Sequence, residues 1–415
     1  MEVFKPFVGQ NYFNKYEKSN NFSRFVCPYN FEVETYEKSL ILKKNEHNVF
    51  NFKNNKEGRS DFKSWLDGSV LISSKNPAFY IYEMSYKIAD VLYSIKGIVG
   101  ALKLPEKGED YVLTCEENDE DDVENNFEFL KYCGFYSSPV CAFVDCKDSL
   151  KFSSLIKGKV SSSYIFKAKQ KNVVHKIWKI EDVESINFLL DFFKNRVYYV
   201  FSGVEKYEAS IRYRDFLRKN NESVEKYKES YILTLTFLKD EFYFTGLPYH
   251  RLVSGSFTFG GKEILKKMSD YFDIISCKTL DSMRSMLFSC RRKEKICFGF
   301  YADESYSVLV LKDIEMVKKM FGEEEICDEK FDVLVLNKLI FEKILSVDLK
   351  NVSYCCCDKV ATNSVDVGDA YFCIYLNAIR GKEFFDTVKS NKKLPKRCYS
   401  FFPNPVEGLL FYVSN

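Results

Sequence analysis

The hydrophobic pattern changes period several times along the chain, and each change predicts an element. Val183, Ile186, Leu189, Leu190 and Phe193 recur at helical spacing, so residues 180–194 predict an amphipathic helix. Tyr198, Tyr199, Val200 and Phe201 follow as a short β-prone apolar run that suits a strand buried on both faces. Gly203 then supplies a turn, and residues 204–220 predict a second helix. The local order is helix, strand, turn, helix. A strand ending in a tight turn that opens a helix is a common phosphate-holding arrangement, because unpaired helix N–H groups point out of it.

Strands are also predicted at residues 70–72, 79–82 and 97–104, while residues 88–93 fit more than one state. Residues 231–238 alternate like a strand, with 242–247 as the return arm of a hairpin. A helix is predicted over 262–272, strands at 296–301, 307–311, 371–376 and 409–413, and a helix near 334–345. The acidic stretch Glu116 to Glu124 reads as a solvated loop or helix start, and the polar residues 222–230 as an exposed connection. G-S-F-T-F-G-G, from Gly255 to Gly261, lacks the lysine and spacing of a Walker loop and reads as a turn. The class is mixed α/β or α+β.

A chain of 415 residues exceeds one core, and three lobes are expected, over 1–115, 116–270 and 271–415. A net charge of +2, from 61 Lys+Arg against 59 Asp+Glu, gives no global field that would gather nucleic acid or an anionic membrane. The basic clusters at 291–295 and 392–397 read as solvated loops, and without helix-turn-helix spacing or interleaved aromatics they make no case for DNA. The N-terminal residues do not read as a signal peptide. No uncharged run approaches the ~20 apolar residues of a membrane span, so the expected location is the cytoplasm, with no membrane partner. The 14 cysteines are scattered rather than regularly spaced and read as free thiols. Cys355, Cys356 and Cys357 lie on a predicted buried strand, 352–357, whose successive side chains face opposite ways. With no C-x-x-C pair and three histidines, no metal site is expected.

The central stretch, Y-Y-V-F-S-G-V-E-K-Y-E-A-S-I, resembles the A-D-G-H-H-R-Y-E-T-A segment of the family called domain of unknown function (DUF) 1015, often described as SpoOJ-like or ParB-like. Other landmarks recur in order. Phe4-Lys5-Pro6-Phe7 resembles its K-P-F, Cys27-Pro28-Tyr29-Asn30 its P-P-Y-D, and residues 77–83 and 97–101 its P-A-x-Y-V-Y-E and G-I-I-G-A. Residues 247–253 resemble L-P-T-H-R-L-V, and residues 332–336 D-V-x-x-L, with Pro395, residues 401–403 and Gly408 near the end. The resemblance implies a ParB- or sulfiredoxin-like core with additional α/β lobes, a fold shared with free-serine kinases. It also implies a helix start whose amides, with a nearby Arg, hold nucleotide phosphates.

The departures decide how that implication applies. Ser202, Gly203, Val204, Glu205 and Lys206 stand where the family has D-G-H-H-R, so both histidines and the acid are replaced, and Asn30 stands where P-P-Y-D has its acid. Ser202 and Glu205 have the S-x-x-E spacing of a capping box, which would satisfy the amides that a phosphate needs. Gly203, Lys206 and Arg251 remain as candidate phosphate or nucleotide contacts, and Glu208 and His250 as candidate catalytic groups. The favoured expectation is a degenerate, non-catalytic member of a phosphotransferase-like family. One alternative is an active kinase of serine or a similar hydroxyl metabolite, using ATP or ADP with Mg²⁺ and the residues Glu208, Lys206, His250 and Arg251. The other is a ParB-like module that binds nucleotide or nucleic acid.

Overall fold

The computed structural model describes residues 2–13, 22–29, 36–88, 90–146, 149–162, 164–220, 230–241, 244–255, 260–321, 331–390 and 392–413. Asn30, residues 222–229 of the polar connection, Phe242, Tyr243 and residues 256–259 of the glycine-punctuated turn lie outside them. The chain forms two compact units. The first comprises residues 1–244 together with 403–415, and the second comprises residues 245–402. The expected lobe boundary at 115/116 falls inside the first unit and that at 270/271 inside the second.

The first unit is built on a nine-stranded mixed sheet. Its order is Phe166–Gln170, Val173–Ile180, Phe79–Ile88, Val91–Lys103, Tyr231–Leu238, Val140–Val144, Tyr198–Ser202 and Val112–Thr114, with Phe4–Lys5 added on Val91–Lys103. Of the ambiguous residues 88–93, Ile88 ends the strand Phe79–Ile88 and residues 91–93 begin Val91–Lys103, which pairs with it antiparallel; Asp90 has φ +65°, and Ala89 lies outside the described residues. Tyr231–Leu238 is buried along its whole length because it lies mid-sheet, antiparallel to Val91–Lys103 and parallel to Val140–Val144. The central strand, Tyr198–Ser202, is paired on both edges, antiparallel to Val140–Val144 and parallel to Val112–Thr114. Its Tyr198, Val200 and Phe201 are buried, as the apolar run predicts, whereas Tyr199 is half-buried.

Two helices flank that strand in sequence. The first is Val183–Phe192, capped by the Asp182 side chain; Ile180, expected to open it, instead ends a strand. The second is Val204–Lys219, close to the predicted span. The acidic run is a helix start: Asp119 caps Glu120–Cys133, and Glu120 pairs with Arg212 through two short hydrogen bonds.

The second unit carries a six-stranded antiparallel sheet in the order Phe272–Cys277, Ser305–Leu311, Cys297–Ala302, Phe372–Tyr375, His250–Val253 and Val352–Cys355. Two strand expectations are corrected here. Thr245–Leu247 pairs with Ser400–Phe402 rather than returning along 231–238. Val352–Cys355 is an edge strand and not a buried one, so Cys355 and Cys356 are half-buried and Cys357 is exposed. Alternation alone does not tell an edge from a centre, since only the partners' positions do. The helix predicted near 334–345 is an α-turn at Phe331–Leu334 continuing as a π-wound segment, Val335–Leu345.

Candidate functional site

The turn after the central strand is formed by Gly203, at φ +80° and ψ +32°. A Cβ there would overlap the Tyr29 hydroxyl and crowd Val140, so both the left-handed backbone and the close approach require glycine. Gly203 is also the residue that opens the helix, and no side chain caps it. The expected capping box is therefore absent. Ser202 lies one position too early, and its Oγ donates to Asn404 Oδ1 at 3.5 Å, while Glu205 takes the second helical position and Lys206 the third. The reason is steric: the left-handed turn needs glycine, which shifts the helix frame by one residue.

That shift places Lys206 in the interior. It is only 9% exposed, and its Nζ donates to Glu407 Oε1 at 2.5 Å and to Ser138 Oγ at 2.6 Å. The ammonium also lies 4.3 Å from the centre of the Tyr29 ring. Glu407 is fully buried and accepts further bonds from Ser137 Oγ, 2.5 Å from Oε2, and from Ser138 Oγ, 2.8 Å from Oε1. The segment carrying Glu407 is fixed by backbone. Val406–Glu407 pairs with Cys27–Pro28, the Gly408 amide donates to the Ser137 carbonyl at 2.7 Å, and the Val406 amide donates to Tyr82 Oη. Leu409, Leu410 and Phe411 follow it into the core. Beside Lys206 is a cavity of about 20 Å³, room for one water, lined in part by Asn126, Phe129 and Ser137.

The thiols around this ion pair stay neutral. Burial raises the Cys27 thiol pKa well above its ordinary value, with the Glu407 carboxylate adding to the effect, and burial raises that of Cys141. Neither is an activated nucleophile. Glu208 is two residues beyond Lys206, about 200° around the helix, and so faces away from the ion pair.

His250 and Arg251 belong to the second unit. Consecutive on one strand, they project to opposite faces, and the L-P-x-H-R-L-V resemblance does not make them a converging pair. His250 Nδ1 accepts the Leu376 amide at 3.2 Å, and Nε2 abuts the Asp358 carboxylate, which also contacts Arg284. Burial, then the Arg251 and Arg284 guanidiniums, lower the imidazole pKa to about 3. With Nδ1 engaged and the ring buried, this neutral imidazole has no ring nitrogen facing solvent to act as a base. Arg251, 2% exposed, donates to the Tyr249 carbonyl at 2.6 Å and to the Arg397 carbonyl at 2.9 Å, with its guanidinium 4.7 Å from the Tyr354 ring centre. It holds the unit's own chain.

The second unit also has an open cleft of about 600 Å³ lined by Asp303, Glu304, Asp366, Asp369, Tyr301 and Tyr371 among others. Its carboxylates would repel a polyphosphate. Among the described residues, no group of three or more His, Cys, Asp or Glu side chains is placed to hold a metal ion, and no helix is long and apolar enough to cross a membrane.

Around Lys206 the family landmarks converge in space: Cys27-Pro28-Tyr29, Gly203 and Gly408 meet there, although nearly 400 residues separate the first from the last in sequence. A family model described as "Protein of unknown function (DUF1015)" matches residues 4–336. The chain belongs to the DUF1015 family. No curated protein matches it. Among solved structures, a conserved hypothetical protein from Pyrococcus furiosus is 10% identical with a TM-score of 0.37, over 73% of this chain and 90% of that one. A free serine kinase in complex with AMP is 10% identical with a TM-score of 0.36, over 73% and 86%. SbnI from Staphylococcus aureus, with a C-terminal truncation, is 9% identical with a TM-score of 0.35, over 73% and 82%.

The DUF1015 match ends before the landmarks at Pro395, Phe401 and Gly408, and before Glu407. Sequence reasoning missed Glu407, Ser137, Ser138 and Asn404. One signal for Glu407 was present: it is the only charge in the otherwise apolar run P-V-E-G-L-L-F-Y-V, and a lone carboxylate in a buried run needs a cation. Nothing local names that cation.

Proposed function

We propose that this protein is a non-catalytic member of the DUF1015 family, in which the turn that would hold a phosphate is closed by an internal ion pair. On this reading the strand, Gly203 and the following helix are the remnant of a ParB- or sulfiredoxin-like phosphate cradle. The observation that carries it is the Lys206–Glu407 contact, in which the cation left at the turn is already neutralised by a buried carboxylate. Phosphoryl transfer depends on positioning and charge neutralisation, and an occupied lysine supplies neither. His250 and Arg251, the other basic groups that an active kinase would need, are engaged by the backbone of the second unit. None of the described cysteines forms a disulfide, which suits a reducing, cytoplasmic setting.

Calorimetric titration with AMP, ADP and ATP in the presence of Mg²⁺, followed by a phosphoserine assay, tests this reading. The expected result is no binding at micromolar nucleotide and no phosphoserine. Micromolar binding with turnover that disappears in Lys206→Ala or His250→Ala would replace it with the active serine-kinase reading. Binding to duplex DNA in 150 mM salt, about physiological, would favour the nucleic-acid module.

A further inference from the structure

Lys206, Ser137 and Ser138 do more than neutralise Glu407, because their geometry matches one kind of anion. Ser138 Oγ and Lys206 Nζ donate to Oε1, and Ser137 Oγ donates to Oε2. The two carboxylate oxygens are thus engaged separately by donors from two chain segments. The donor set carries a single positive charge. A carboxylate monoanion is balanced there, whereas a phosphate dianion would bury an uncompensated charge. We infer that Lys206, Ser137 and Ser138 form a receptor for a small carboxylate, filled in cis by Glu407, and that vacating it creates a site for an external monocarboxylate.

The inference rests on the closed-turn reading but goes beyond it, by assigning the turn a ligand class different from phosphate. Two features make the vacated site specific. The receptor is anchored independently of the Glu407 side chain, since Ser137 and Ser138 adjoin the fully buried strand Val140–Val144 and Lys206 lies on a sixteen-residue helix. The adjacent 20 Å³ cavity adds only one water's space, so removing the Glu407 carboxylate leaves room for formate or acetate and not for a nucleotide.

The test uses the full chain carrying Glu407→Ala, melted in sodium formate, acetate, phosphate or chloride at matched ionic strength. Formate or acetate should raise the variant's melting temperature saturably, by about 5 °C at high occupancy, with no such rise over chloride in the wild type. Adding Lys206→Met to Glu407→Ala should abolish the response. If Glu407→Ala is recovered unfolded from chloride, its refolding yield in formate gives the same readout. Formate and acetate acting no better than chloride in both measurements would overturn the inference, as would a larger effect of phosphate than of either carboxylate. Nucleotide binding by the wild type would instead overturn the non-catalytic reading and leave this result standing, so the two failures are distinguishable.

Discussion

The two units each bury a cation that a motif reading takes for a ligand-binding group, and they satisfy it by different means. In the first, Lys206 is a compact point charge, met by a fully buried carboxylate, the Ser138 hydroxyl and a tyrosine ring. In the second, Arg251 spreads its charge over a planar fork and is held by two backbone carbonyls and a tyrosine ring. The difference follows from the side chains: a guanidinium is weakly hydrated and suited to several partial charges, whereas an ammonium concentrates its charge on one atom. Basic residues in a family motif are therefore evidence of a binding site only once their internal partners are known.

The comparison is broken most severely at the lysine. Lys206→Ala leaves Glu407 buried without a counter-charge and should destabilise the first unit by about 3–5 kcal/mol, measured by denaturant unfolding. The double change Lys206→Met with Glu407→Leu should recover much of that loss, because two apolar groups of similar volume need no partner. If the double variant is no more stable than Lys206→Ala, the ion pair is not what holds this region.

Arg251→Ala should cost less, about 2–3 kcal/mol, since the carbonyls of Tyr249 and Arg397, which lose charged donors, are themselves neutral. A loss equal to that of Lys206→Ala would erase the distinction between the two units.

Each unit also buries one imidazole, which extends the comparison to pH. Burial lowers the pKa of His175 from 6.5 to about 3. Burial together with Arg251 and Arg284 does the same to His250, again from 6.5 to about 3. Between those values the unfolded chain binds more protons than the folded one, so stability is fully present above pH ~6.5 and falls as pH drops toward 3. His175→Gln and His250→Gln should each flatten that acid limb in urea melts taken from pH 7 to pH 4. An unchanged slope in both variants would show that other groups carry it.

The smallest effect is expected at the turn. Ser202→Ala should change stability by no more than about 0.5 kcal/mol, because Ser202 makes no cap, its contact with Asn404 is long, and the Tyr29 hydroxyl it also bonds keeps its own bond to the Pro139 carbonyl. A loss near 1 kcal/mol, the usual value of a lost cap, would restore the capping box.

What was legible and what was not divides along the same lines. The central strand and its helix were legible because period and turn chemistry are local: four apolar residues in succession and a glycine fix both ends within a residue or two. The hairpin partner of 231–238 and the depth of 352–357 were not, since pairing depends on which distant strand arrives at an edge. Within the site, Gly203 and Lys206 could be named in advance, but the cap could not, because overlap with Tyr29 and Val140, 174 and 63 residues away, sets the helix frame.

By itself the sequence determined the mixed α/β class, the strand–glycine–helix unit and the family, all of which rest on local periodicity or on residues in fixed order. Tertiary structure alone decided that Lys206 is buried and paired, that His250 and Arg251 face opposite ways in another unit, and that the carboxylate closing the turn comes from residue 407. The physical reason is range. Hydrogen-bonded turns and apolar periods are settled among neighbours, whereas a buried charge can be neutralised by any residue the fold brings within about 3 Å, and its identity is not written near it in the chain.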